Sequence, residues 1–274
     1  MPVPMLSAIL IHSEPARFSL CQKAVNNFIR QHYVPFELII VNTTEQDVVT
    51  NKAIYDEEYE HVGCFVKEIK PQSPQPNAAA MRNCGLRVAS GDWVVAVDDD
   101  DWFHPQRFLY QMAHRYGSVP CLLRNQLKID ISRLQELDVT QQQVATFRPM
   151  LYVDSREQGV PNTMIFPRLG SKTKELWLYN ENLKVGEHDE LLQRITQEEG
   201  QPVVCRNQHT QLVNGMSWPM LSVAMYFGQN ESTFEQFFQN LPQPYDPYFT
   251  PSELNTKDIE QLKIVLRSFN FNVS

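Results

Sequence analysis

Four consecutive aspartates occupy residues 98–101 and directly follow an apolar segment at residues 93–97. Carboxylates packed this closely repel one another and raise each other's pKa unless a cation lies among them. Mg2+ and Mn2+ take oxygen ligands and commonly bring substrate phosphates with them. The run therefore predicts a divalent metal site at the end of a buried strand. The alternative is an exposed acidic turn that only caps the next helix.

The elements that lead to these aspartates follow the pattern of a parallel sheet. Helices are predicted over residues 15–31 and 77–88, and apolar strands over residues 6–11, 36–41, 64–69 and 93–97. Nearly continuous apolar strands that alternate with helices are typical of a parallel sheet covered on both faces. Ligands bind at the carboxyl ends of such strands, so we expect Asn42 and the aspartate run to face one crevice.

The chain beyond the aspartates has weaker patterns. Helices are predicted over residues 105–115, 187–198, 232–240 and 255–269, and strands over 121–124 and 162–167. A proline-rich connector is predicted at 241–251. The helix over 255–269 has an apolar face that packs either on its own domain or in a homodimer contact.

Composition excludes several classes of protein. The chain of 274 residues has a net charge of −8 and thus lacks the excess of positive charge that is typical of nucleic-acid-binding proteins. It contains no apolar stretch long enough to span a membrane and no signal peptide at its start, so no integral membrane segment is expected. Its five cysteines never have C-x-x-C spacing, which argues against a zinc site and against a disulfide framework. We expect reduced thiols in a cytoplasmic protein.

Residues 77–105 resemble family 2 glycosyltransferases of the GT-A fold. An A-x-x-R-N-x-G-L helix at residues 79–86 leads into a strand that ends in D-x-D-D, and Pro105 follows. The resemblance is looser over the rest of residues 5–215. It implies an α/β, Rossmann-like fold with a mostly parallel central sheet flanked by helices. The expected domains are a GT-A domain at 1–230, with a nucleotide-sugar-binding half (1–105) and an acceptor half (106–230), and a C-terminal helical extension at 231–274.

The resemblance implies a metal-dependent, inverting transfer of a sugar from a nucleoside-diphosphate donor, with a UDP-sugar as the expected donor and Mn2+ or Mg2+ as cofactor. In the D-x-D register, Asp100 is the direct metal ligand and Asp98 contacts the metal as well, through a bound water, or the ribose. Asp99 is included among the residues expected to bind the donor, although side chains alternate along a strand and would point Asp99 in the opposite direction from Asp98. Asp101 is expected to cap the following helix. His209 is a further candidate ligand of the metal or diphosphate.

The remaining donor-side residues leave alternatives open. Arg82 is expected to bind phosphate or to pair with Asp98 or Asp101. Asn42 stands where most of the family has an aspartate that binds uracil. Its amide can accept or donate a hydrogen bond, so the base is not defined. The segment with Ile11 and Ser13 also departs from the family's pattern. Asn83 and Gly85 are expected to be structural.

The resemblance also implies a catalytic base near residue 188. Residues 187–194 are similar to the family's E-D-x-(D/E)-L-x-x-R helix start, and counting back from Arg194 places His188 at the usual base position. We favour Asp189, because a carboxylate at a helix N-terminus is held ionised there, followed by Glu187. His188 is the third candidate. Acidic residues that merely complement the helix dipole are the alternative.

Several functional alternatives stay open. A sugar-phosphate nucleotidyltransferase needs a glycine-rich loop, and residues 9–20 contain no glycine. A catalytically degenerate module that binds nucleotide or glycan is favoured by the absence of aspartates at positions 42 and 188. The acceptor, a hydroxyl on a glycan or another biomolecule, is not defined. Four aromatic residues either line an acceptor pocket or pack in the core: Trp102, Trp177, Tyr179 and Trp218.

Overall fold

A computed structural model describes residues 3–33, 35–49, 64–72, 76–130, 151–155, 157–205, 222–226 and 267. The chain divides into two compact units. The first comprises Met1–Asp99, Pro105–Leu123 and Gln158–Cys205, and the second comprises Asp100–His104, Arg124–Glu157 and Arg206–Ser274. Within the described residues, no helix has the length and hydropathy needed to cross a membrane.

The described residues contain eleven strands and four α-helices. The strands are β1 (Leu6–His12), β2 (Phe36–Asn42), β3 (Cys64–Ile69), β4 (Trp93–Asp98), β5 (Trp102–Phe103), β6 (Cys121–Leu123), β7 (Asn125–Asp130), β8 (Leu151–Ser155), β9 (Ile165–Pro167), β10 (Val203–Cys205) and β11 (Ser222–Tyr226). The helices are α1 (Phe18–Phe28), α2 (Ala78–Val88), α3 (Arg107–His114) and α4 (Glu187–Glu199).

The first unit is built on a seven-stranded sheet with the order β10-β6-β9-β4-β1-β2-β3. Strand β1 pairs in parallel with β2 and β4, β2 pairs in parallel with β3, and β10 pairs in parallel with β6. Only β9 runs antiparallel to its neighbours. His12 lies opposite Asn42, and Ile11 lies opposite Asp98, so the adjacent strands β4, β1 and β2 end at the same edge of the sheet. The predicted mostly parallel α/β sheet is confirmed.

Helix α2 approaches the sheet closely because of one glycine. A Cβ atom at Gly85 would lie 2.4 Å from Cγ2 of Ile9 and 3.3 Å from Cγ2 of Val41, both on buried strands. The helix begins where predicted, since the Asn77 side chain accepts a hydrogen bond from the Ala80 amide at 2.9 Å and caps the first turn. Together, the cap and the glycine set the start of α2 and its distance from β1.

Three local predictions differ from the structure. The helix predicted over residues 15–31 begins as a 3-10 turn at Pro15–Arg17, where proline restricts the backbone, and α1 ends at Phe28. The strand predicted over residues 162–167 is shortened to β9 by a 3-10 turn at Pro161–Thr163. The prediction that Asp101 caps a helix is wrong, because β5 follows it and α3 has Gln106 at its N-cap.

The second unit contains a four-stranded sheet with the order β5-β11-β7-β8. Strand β7 pairs antiparallel with β8 and parallel with β11, and β11 pairs antiparallel with β5. Sequence reasoning did not predict this sheet. The predicted C-terminal helices and connector lie outside the described residues, except for Arg267, which is helical.

Candidate active site

A buried arginine links three elements of the first unit. Arg82, on α2, is 3% exposed. Its Nη2 donates to Asp98 Oδ1 at the end of β4 (2.8 Å), and its Nη1 donates to Glu187 Oε1 at the start of α4 (2.5 Å). The guanidinium also lies 5.6 Å from the centre of the Tyr179 ring. The fork of Arg82 therefore holds two of the predicted site carboxylates in one cluster.

Electrostatics keep this cluster charged. Burial by itself would raise the pKa of Asp98, but the positive charge of Arg82 outweighs it and holds the pKa below its usual value. Burial would conversely lower the pKa of Arg82, and the Asp98, Tyr179 and Glu187 groups together raise it. The arginine and the Asp98 carboxylate are therefore both ionised at neutral pH.

The start of α4 presents the three predicted base candidates in different environments. Gly186 precedes the helix with a positive φ of 75°, which glycine adopts without strain. Glu187 is bound to Arg82, whereas Asp189 is exposed. His188 is half-buried, and its Nδ1 lies 3.3 Å from the Tyr179 hydroxyl. Burial, together with the positive charge of Arg82, lowers the pKa of His188 to about 4, so its imidazole is neutral at pH 7.

Asp99 faces the interior of the first unit. Strand β4 ends at Asp98 and the chain turns at Asp99, whose partners differ from those of Asp98. Asp99 Oδ2 lies 2.6 Å from His12 Nδ1, and Oδ1 accepts a hydrogen bond from Arg17. Cys21 Sγ is close enough to His12 and Asp99 for the three to be considered as cation ligands. Because both Asp99 oxygens are already engaged, we interpret the group as a buried ion-pair cluster.

Sequence reasoning missed His12 and Arg17. The signal in the sequence was a histidine at the end of a mostly apolar strand; the structure shows that His12 is fully buried and lies opposite Asn42. A charged or polar group in such a position needs a partner, and the aspartate run is the nearest source of one in a parallel sheet.

The other predicted donor-side residues have distinct positions. Asn42 is fully buried and hydrogen-bonded to its own loop and to Glu68. Ile11 is partly buried beside Asp98, and Ser13 is exposed. Asp100 belongs to the second unit and is 4% exposed. His209 lies outside the described residues.

The structural roles predicted for α2 are supported by its contacts. The Asn83 side chain donates to the Tyr179 carbonyl (2.9 Å) and accepts from the Tyr179 amide (2.7 Å), which fixes the chain that carries the tyrosine. Trp177 and Tyr179 are buried in the hydrophobic core, 8% and 4% exposed, so they pack there. Trp218 lies outside the described residues.

Comparisons with known proteins relate part of the chain to a glycosyltransferase family. The sequence model of the family described as Glycosyl transferase family 2 matches residues 17–121. The uncharacterized glycosyltransferase YwdF of Bacillus subtilis (strain 168) is 37% identical over 87 residues, which are 32% of this chain and 30% of that protein. The match therefore spans less than a third of the curated relative.

Solved structures share the fold. The crystal structure of S. aureus TarS aligns with a TM-score of 0.52 at 16% identity, covering 85% of this chain and 38% of that one. The structure of TarS 1-349 in complex with UDP-GlcNAc aligns with a TM-score of 0.52 at 15% identity, covering 98% of this chain and 68% of that one. At this level of identity the likeness concerns the fold. Residues 17–121 thus match the model of Glycosyl transferase family 2, and they lie on a mixed α/β domain with the GT-A fold.

Proposed function

We propose that the protein is a metal-dependent, inverting glycosyltransferase that moves a sugar from a nucleoside-diphosphate donor, a UDP-sugar, to a hydroxyl of a glycan or another biomolecule. The observation that carries the proposal is the Arg82 cluster. It joins the first aspartate of the D-x-D spacing to the acidic start of α4, within a chain that carries a family 2 segment. The UDP-GlcNAc complex of the TarS structure supports the choice of donor.

The donor set suits a hard cation. Asp98 and Asp100 supply carboxylate oxygens, the ligand type that Mg2+ and Mn2+ prefer. The Asp98 side chain is 37% exposed and its recorded contact with Arg82 uses Oδ1, so its surface is accessible to a ligand. Joint binding by the two aspartates is proposed on their spacing along the chain. A bound cation there would offset the negative charge of the diphosphate leaving group.

Arg82 has a positioning role in this proposal. Because both of its terminal nitrogens are engaged by Asp98 and Glu187, it orients these carboxylates. This leaves Glu187 a poor candidate for the base, since its carboxylate is already bound to Arg82.

We assign the base role to Asp189, with His188 as the alternative. Asp189 is exposed in the first turn of α4, at the positive end of the helix dipole. It would take the proton of the acceptor hydroxyl while that oxygen bonds to the anomeric carbon and the bond to the nucleoside diphosphate breaks. The neutral imidazole of His188 can also accept a proton, although its lowered pKa makes it a weak base.

A nucleotide-binding module without turnover is the second candidate function. It is favoured by Asn42, whose amide is used within its own loop, and by the histidine at position 188. Both functions predict nucleotide binding, and only the first predicts cleavage of the donor.

The test is slow hydrolysis of a UDP-sugar panel with and without Mn2+, measured by chromatography of released UDP. We expect Mn2+-dependent release that Asp100→Asn abolishes and that Glu175→Gln, an exposed acidic control, leaves unchanged. Release lost in Asp189→Asn but kept in His188→Asn would support the assigned base. Metal-dependent UDP binding without release would support the binding module, and neither binding nor release would refute both functions.

A further inference from the structure

Asn42, at the end of β2, has its amide fully engaged by protein groups. Its Nδ2 donates to Glu68 Oε1 (2.6 Å) and to the Gln46 carbonyl (2.8 Å). Its Oδ1 accepts from the Thr44 amide and lies 2.8 Å from the Thr44 hydroxyl. The side chain is fully buried. An amide has two N–H donors and two acceptor positions, so this one has no capacity left for a ligand.

The orientation of the amide follows from its neighbours. If oxygen and nitrogen were exchanged, the oxygen would face the Glu68 carboxylate and the Gln46 carbonyl, which are both acceptors. The nitrogen would then face the Thr44 N–H, which is a donor. Each exchanged contact would be repulsive, so the network itself defines the orientation.

Glu68, on β3, also binds backbone amides of the loop that follows β2, at residues 43–49. Its Oε1 also accepts from the Val48 amide (3.1 Å), and its Oε2 accepts from the Val49 amide (2.9 Å). Its side chain is 12% exposed. One carboxylate therefore holds both the end of β2 and the end of the loop at residues 43–49.

We propose that Asn42 and Glu68 form a clamp that shapes the loop at residues 43–49, and that Asn42 positions this loop without contacting the donor base. The inference rests on the proposed function for its statement about the donor. Base recognition at this strand end then falls to the exposed residues 45–47 at the tip of the loop. Asn42 and Glu68 are positioning residues for donor selectivity.

The clamp requires an amide at position 42 as long as position 68 is a carboxylate. In Asn42→Asp, a second carboxylate would replace the donor that lies 2.6 Å from Glu68 Oε1. Two like charges at this distance in a buried site both ionise only at a cost, which Lys70, whose Nζ lies 3.7 Å from Glu68 Oε1, offsets in part. In Asn42→Asp/Glu68→Gln, the glutamine amide can donate to the new carboxylate, which removes the repulsion between positions 42 and 68 but not that with the Gln46 carbonyl.

The experiment is a double-mutant cycle read by thermal unfolding at pH 7.5 and pH 5. We expect Asn42→Asp to lower the Tm by about 5–10 °C at pH 7.5 and by less at pH 5, where one carboxyl takes up a proton. Glu68→Gln should lower the Tm of the wild type and raise that of Asn42→Asp. The matched control is Asn26→Asp, which adds the same charge at an exposed site on α1 and should shift the Tm by about 1 °C or less.

The second readout is the affinity for UDP, CDP, GDP and ADP by calorimetry. A positioning role predicts that Asn42→Asp weakens each nucleotide that binds by a similar factor, about tenfold, and that Glu68→Gln in that background restores part of it. A change confined to uracil would show that Asn42 reads the base and would overturn the inference. Equal effects of Glu68→Gln on the Tm in both backgrounds would also overturn it. If the wild type binds no nucleotide, the proposed function fails, while the thermal cycle still decides whether the clamp exists.

Discussion

Replacing Arg82 by methionine should destabilise the first unit strongly. Methionine keeps much of the apolar volume of the side chain but removes both hydrogen bonds of the guanidinium. The Glu187 carboxylate, 13% exposed, and the Asp98 carboxylate, 37% exposed, would then lose their shared partner. The variant therefore tests whether the cluster is an energetically coupled unit.

The expected magnitude follows from the burial of each partner. Removing one member of a buried ion pair costs about 3–5 kcal/mol, because the other charge is left uncompensated. Water screens part of this cost at Asp98, which is more than a third exposed. We expect the lower end, about 3 kcal/mol, which corresponds to a Tm decrease of about 6–12 °C for a chain of this size.

The assay is urea unfolding followed by circular dichroism at pH 7.5, with Arg87→Met as the matched control. Arg87 lies on the same helix, and its Nη2 is 3.7 Å from Glu181 Oε1 with both side chains about half exposed. An exposed pair of this kind contributes less than about 0.5 kcal/mol. Glu187→Gln in the Arg82→Met background should restore about 1–2 kcal/mol, since it removes the stranded charge.

Two outcomes would refute this reasoning. If Arg82→Met and Arg87→Met unfold at the same urea concentration, burial does not strengthen the Arg82 pairs. If Glu187→Gln destabilises the Arg82→Met variant further, the two carboxylates do not depend on the guanidinium for charge compensation. Either result would also remove the main support for a linked donor and base site.

Three further predictions concern stability and reactivity. The folded pKa of His188, about 4, lies below the ordinary value near 6.5. Stability should therefore fall by about 1–2 kcal/mol as the pH decreases from 6.5 to 4, and His188→Asn should flatten this part of the urea-unfolding profile. Gly85→Ala should cost about 1–3 kcal/mol by the same assay, because the added Cβ meets Ile9 on β1; a neutral effect would contradict the close approach. Burial raises the pKa of the Cys21 thiol, so iodoacetamide should label Cys21 only after denaturation and partly exposed Cys84 sooner, as read by mass spectrometry; equal labelling rates would contradict this order.

The parallel sheet and helix α2 were predictable from local patterns. Strands β1, β2 and β4 are mostly apolar, and the bounds of β1 to β4 differ from prediction by at most one residue. The Asn77 cap acts within the first turn of α2, so its chemistry is visible in the sequence itself. The second sheet was not predictable in this way, since it pairs segments such as β7 and β11 that are distant along the chain.

The chain by itself determined which charges exist and where the central strands end. Hydrophobic periodicity and residue spacing are local properties, so the aspartate run, Arg82 and the acidic start of α4 were all visible before the fold was known. Tertiary structure alone decided the partners. Arg82 pairs with a glutamate 105 residues away, Asp99 turns inward to His12 and Arg17, and Asn42 is engaged by Glu68. Buried polar groups take whichever partners the fold brings within hydrogen-bonding distance, and sequence spacing carries no record of that choice.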